Sequence, residues 1–130
     1  YIQEPMDKME VYKKIAAITT EQEHDQVYAE ISDRFGPVPD EVLSILSMSE
    51  IRIICRKLFV SALRERQGAV TVEFALVSLV PVDRVLRLIK ESGGQVYLDQ
   101  SRPNCLFLRT GNIGLKEKSE FIRDRLAALV

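Results

Sequence analysis

At 130 residues, 46% hydrophobic and 28% charged, the sequence has the size and composition of one globular domain, with enough chain for one core and little for two. No apolar run approaches the ~18 residues of a membrane span, and no signal-peptide pattern opens the chain. The formal net charge of −1 hides a split: residues 1–50 hold four Lys/Arg against eleven Asp/Glu, and residues 51–130 hold fourteen against eight. An acidic helical block suits protein docking and repels duplex DNA. The chain opens on Tyr1 rather than Met, so we expect a piece of a longer protein.

The apolar positions Met6, Met9, Ile15 and Ile18 predict a first helix over 4–18. Thr20-Glu21-Gln22-Glu23 reads as a capping box: the Thr20 hydroxyl accepts from the amide of Glu23, and Glu23 reaches back. It starts a second helix that ends at Phe35. Gly36 supplies a left-handed cap there, and Pro37 and Pro39 forbid continuation. Asp40 and Glu41 open a third helix to about Lys57, where the dipole favours negative charge. Its apolar residues (Val42, Leu43, Ile45, Leu46, Met48, Ile51, Ile53, Ile54) surround much of the axis, which predicts the most buried helix.

After Lys57 the period changes. Phe59–Glu65 and Ala69–Leu76 read as strands joined by Arg66-Gln67-Gly68, the second alternating Val70, Val72, Phe74 and Leu76 against polar or small residues. Pro81 starts a fourth helix to about Ser92, stopped by Gly93-Gly94. Gln95–Asp99 and Cys105–Arg109 read as two more strands. A last helix runs from Asn112 or Gly114 to Leu129. The order αααββαββα predicts an α+β fold with a small, mainly antiparallel sheet. We expect one domain over 1–130, helical over about 1–58 and sheet-containing over about 59–130.

Candidate chemistry is sparse. His24 is the single histidine and lies with Val27, Tyr28, Ile31 and Phe35 on the apolar stripe of the second helix, so it reads as structural. Cys55 and Cys105 have no partners at metal-ligand spacing and read as buried free thiols in a reducing, cytoplasmic setting. No HExxH, CxxC or phosphate-cradling loop occurs, and Gly93-Gly94 precedes a strand rather than a helix N-terminus. We therefore expect no catalytic residue, no metal and no cofactor. Arg84, Arg87, Arg123 and Arg125 could reach phosphates, but no aromatic series interleaves the basic residues, so they read as ordinary surface. The clearest surface signal is on the second helix. Gln26, Glu30 and Asp33 recur at i, i+4 and i+7 beside the apolar stripe, with Arg34 between stripe and edge, and present negative charge outward.

Three segments resemble the C-terminal domain of the bacterial transcription-repair coupling factor family: Tyr12-Lys13-Lys14-Ile15-Ala16, then Glu30-Ile31-Ser32-Asp33-Arg34-Phe35-Gly36-Pro37-Val38-Pro39, then Arg56-Lys57-Leu58 at the end of the long helix. Tyr1-Ile2-Gln3 is similar to the family's entry segment, with Gln3 where Pro is usual. The likeness is strong over residues 1–60 and only compatible over 61–130. It implies a parent that is an ATP-dependent DNA translocase, displaces RNA polymerase stalled at DNA damage and recruits the excision-repair protein UvrA. It further implies that this domain is a non-catalytic, autoinhibitory module. The domain would pack on a UvrB-like module of the same chain and cover its UvrA-binding surface, without touching nucleic acid itself. Glu30 and Asp33 occupy the motif's contact positions. Arg34 also matches the motif and would serve the same contact or pair locally with Asp33 or Glu30; Gln26 completes the edge. An accessory nucleic-acid-binding domain of a helicase-type protein is the alternative.

Overall fold

The computed structural model describes residues 1–75 and 80–130. In chain order these form α1 (Pro5–Ala16), α2 (Glu21–Phe35), α3 (Asp40–Leu58), β1 (Val60–Arg66), β2 (Ala69–Phe74), α4 (Val82–Glu91), β3 (Val96–Asp99), β4 (Arg102–Arg109) and α5 (Leu115–Ala127). The predicted order and α+β class are those observed. Leu76, the predicted end of the second strand, lies outside the described residues.

The helix boundaries follow local chemistry. Pro5 begins α1, where its fixed φ suits the first turn and its missing N–H costs nothing. The buried face of α1 is Val11, Ile15 and, just past its end, Ile18, at i, i+4 and i+7. Met6 and Met9, expected on that face, point outward at 82% and 61% exposure. They match the helical period but sit on its solvent side. The Thr20 hydroxyl caps α2 by accepting from the Glu23 amide at 3.1 Å. Only this half of the expected box forms. The Glu23 carboxylate turns to Thr19, taking its hydroxyl at 3.0 Å and its amide at 3.4 Å. Gly36 does end α2 at positive φ, but with φ +87° and ψ −161° it is extended rather than left-handed helical, a region that only glycine enters readily.

α3 is the central element, as predicted. Val42, Leu46 and Ile53 join Val11, Ile15, Ile18 and Ile31 in one apolar cluster beneath α1 and α2. Ile51, Ile54 and Leu58 face the other way, into the cluster on the sheet. Its tight packing uses small residues: Ser44, Ser47 and Ser49 are buried. The Ser44 and Ser49 hydroxyls donate to carbonyls of their own helix, which removes the cost of burying them.

The sheet has the order β1-β2-β4-β3, with every pairing antiparallel. Val70 and Val72 on β2, Leu106 and Leu108 on β4 and Val96 on β3 are buried together with Leu88 of α4 and Ile122, Leu126 and Leu129 at the C-terminal end. The helices thus cover one face, each buried aliphatic contributing about 1.5–3 kcal/mol. β1 begins at Val60, one residue later than predicted. Phe59 instead caps α3 in the left-handed region, at φ 56° and ψ 47°. The β1–β2 turn is the two-residue loop Gln67-Gly68, both at positive φ, the hairpin geometry whose twist matches the strands. β4 starts at Arg102 rather than Cys105, so the β3–β4 connection is only Gln100-Ser101. Pro81 caps α4 from outside, and Gly114 rather than Asn112 precedes α5.

Candidate functional site

The acidic edge of α2 is not uniformly open. Taking about 100° per residue, Gln26 and Asp33 point within about 20° of one another, while Glu30 and Arg34 are displaced toward the apolar stripe. On that side α2 meets α1. The Glu30 carboxylate accepts from the Lys14 ammonium, which also lies 3.3 Å from Glu10. Arg34 reaches Asp7 at 3.6 Å and Glu10 at 3.7 Å, with its guanidinium 4.8 Å above the Phe35 ring. The result is a seam of alternating charge: Asp7, Glu10 and Lys14 from α1, one turn apart, against Glu30 and Arg34 from α2. Donating to the Glu30 carboxylate, and next to that of Glu10, holds the Lys14 ammonium above the usual lysine range.

This corrects two expectations. Arg34 does not pair with Asp33 or Glu30; its partners are on the neighbouring helix. Glu30 is not a free edge residue, because it is committed to Lys14. Asp33 and Gln26 are exposed and make no ion pair or side-chain hydrogen bond among the described residues. Neither carboxylate is buried.

Sequence reasoning missed Asp7 and Glu10. The signal was present: Asp7, Glu10 and Lys14 repeat at i, i+3 and i+7, which places all three on one helix face. Lys14 belongs to the Tyr12–Ala16 motif and Glu30 and Arg34 to the Glu30–Pro39 motif, so the two segments singled out in the sequence meet in space. Tyr1 joins them. Its hydroxyl donates to the Gly36 carbonyl at 2.9 Å and its ring lies 5.9 Å from Phe35. Phe35 is consequently half-buried at the rim of the helical cluster, held by Tyr1 and Arg34, rather than deep within it.

The other candidates resolve as scaffold. His24 is largely covered, with Nδ1 3.1 Å from Asp25 and Nε2 3.2 Å from Glu50. Arg123 of α5 meets Glu50 at 3.3 Å and Asp124 at 3.1 Å, and Arg125 donates to Gln95 while lying over Phe121. Arg84 and Arg87 stand exposed on α4. Cys105 is buried as expected, whereas Cys55 is only half-buried, though burial still pushes its thiol above the usual range. Among the described residues no cluster of His, Cys, Asp or Glu could hold a metal ion, and no helix is long and apolar enough to cross a membrane.

Comparison with known proteins places the chain. The family model described as the TRCF domain matches residues 1–85. A transcription-repair-coupling factor of Borreliella burgdorferi is 30% identical over 129 residues, covering 99% of this chain and 12% of the relative. Proteins of the same name from Bacillus subtilis (26% over 100 residues; 75% of this chain, 8% of the relative) and Escherichia coli (31% over 75 residues; 58% and 6%) are also similar. The chain thus spans about an eighth or less of the curated relatives it matches. A crystal structure of the C-terminal domain of a transcription-repair coupling factor superposes with a TM-score of 0.75 at 22% identity, covering 99% of this chain and 84% of the other. That likeness carries the fold, and the two sequence comparisons carry the kinship: this chain belongs to the TRCF domain family of bacterial transcription-repair coupling factors.

Proposed function

We propose that this domain is a non-catalytic regulatory latch that docks, through the outer edge of α2, on the UvrB-like module of its own parent chain and masks the surface that receives UvrA. The parent, on this reading, is an ATP-dependent translocase that displaces stalled RNA polymerase and brings in excision repair from the cytoplasm. The observation that carries the reading is the contrast along α2: Asp33 and Gln26 are exposed and unengaged, while Glu30 and Arg34 beside them are fixed by α1. An unpaired carboxylate on a rim whose backbone is already ordered meets a basic partner without first breaking an existing ion pair.

A tethered latch need not bind tightly. At an effective concentration of about 1 mM, an intrinsic Kd of about 10 μM leaves roughly 99% closed. The closing free energy is then about 2.7 kcal/mol, small enough for movement elsewhere in the parent to overcome. Breaking one desolvated charge pair at such a contact, at about 2–5 kcal/mol, opens it.

The test is UvrA binding by the full-length parent. Asp33→Lys is the informative substitution, since it reverses the unengaged charge and leaves the seam intact. Glu30→Lys sets a cation against Lys14 and confounds loss of contact with disruption of α1. Asp33→Lys should raise UvrA affinity by about tenfold or more, the factor that loss of roughly 2 kcal/mol of closure gives. Unchanged affinity would sink the assignment.

A further inference from the structure

The face of the sheet turned away from the helices carries an arrangement that the latch does not use. Alternation places Arg64 and Arg66 of β1, Ala69, Thr71 and Glu73 of β2, Phe107 and Arg109 of β4 and Tyr97 of β3 on that face. The ladder sets Arg64, Thr71, Phe107 and Tyr97 in one row across all four strands, and Arg66, Ala69 and Arg109 in the next. Tyr97 and Phe107 stack, with centroids 5.2 Å apart and planes 15° from parallel. Arg109 lies 4.5 Å above the Tyr97 ring and Arg102 lies 5.7 Å above Phe107, so cations flank the aromatic pair.

The charges on this face are unbalanced. Glu73 is taken by Arg64 at 2.9 Å. Asp99, at the hairpin end, accepts from the Ser101 amide and hydroxyl at 3.0 and 2.8 Å. Arg66, Arg102 and Arg109 form no ion pair among the described residues, and all three are exposed. The apolar cluster that engages α3, α4 and α5 lies on the opposite face.

We propose that this open face binds single-stranded nucleic acid, with Arg66, Arg102 and Arg109 on the phosphates and the Tyr97–Phe107 pair as the surface against which bases pack. Among the described residues Arg66 and Arg109 have no acidic partner, and Arg102 only feels the nearby Asp99 through space without an ion pair, so the exposed guanidiniums complement a polyanion. Rings beside them distinguish exposed bases from the closed edges of a duplex, where stacking is already satisfied. An acidic peptide would answer the charge but leave the aromatic pair without a role.

The test uses the 130-residue chain and fluorescein-labelled oligo-dT and oligo-U of about 20 nucleotides, with a duplex of equal length and a polyglutamate peptide as competitors, at about 50 mM salt. Single strands should bind at least about tenfold more tightly than duplex, the DNA and RNA arms separating the two sources of the strand. Phe107→Leu should weaken binding about 5- to 10-fold and Phe107→Tyr should restore it. The double variant Arg66→Gln, Arg109→Gln changes only exposed side chains and should flatten the salt dependence, while Arg84→Gln on α4 should change nothing. Absence of oligonucleotide binding, equal affinity for duplex and single strand, insensitivity to both Phe107→Leu and the arginine pair, or tighter binding of polyglutamate would each overturn the proposal.

Discussion

Glu30 and Asp33 are three residues apart on one helix and have opposite surroundings. Glu30 takes part in the α1–α2 seam; Asp33 has no partner among the described residues. Stability and docking should therefore separate at these two positions. Glu30→Gln should lower the urea midpoint of the domain, and Asp33→Asn should leave it where it is; the same shift in both variants would mean that the seam contributes nothing. Phe59 is the other residue with an unusual setting. It is half-exposed and bulky, yet holds a left-handed backbone that costs an ordinary L-residue roughly 1–2 kcal/mol. Asn adopts this conformation more readily, so Phe59→Asn should stabilise the domain by about 1 kcal/mol in chemical denaturation. Destabilisation would mean that the ring's contacts outweigh its backbone strain.

The elements show where sequence suffices and where it does not. Element order and most helix ends were legible because they follow from local rules: Pro at a first turn, a hydroxyl cap, Gly after Phe35 and a period of two in β2. Thr20→Ala should accordingly cost about 1 kcal/mol and Thr20→Ser much less, read as a shift in denaturation midpoint at unchanged slope. The errors lie where two elements meet. Met6 and Met9 fit the helical period, but which side of α1 is buried depends on where α2 and α3 lie. Glu23 obeys the box rule in sequence, yet Thr19 offers both a hydroxyl and an amide and wins its carboxylate. Both Glu30 and Asp33 face outward as their helical positions imply, but that Glu30 is paired is not legible, because Lys14 is sixteen residues away on another helix. Tyr97 and Phe107 gave no linear signal at all: they sit on different strands and meet only once the β3–β4 register is known.

At the scale of the whole molecule, α3 is shared by two apolar clusters of unequal kind. On one side the sheet, α4 and α5 bury a large, multiply cross-linked set of aliphatics; on the other, α1 is held mainly by Val11, Ile15 and Ile18. Local opening should therefore begin at α1, since few buried contacts oppose it. Such opening has an electrostatic consequence, because lifting α1 removes Lys14 from Glu30 and both acids from Arg34 and so changes the charge that α2 presents. Ile15→Ala tests this order of events. The truncation should cost about 2–5 kcal/mol within its own cluster. In hydrogen exchange, amides of α1 and the facing turns of α2 should exchange faster while those of β2 and β4 keep their wild-type protection. Uniform acceleration across helices and sheet would show instead that α3 couples the two clusters into one cooperative unit, in which the rim of α2 cannot loosen without loss of the whole fold.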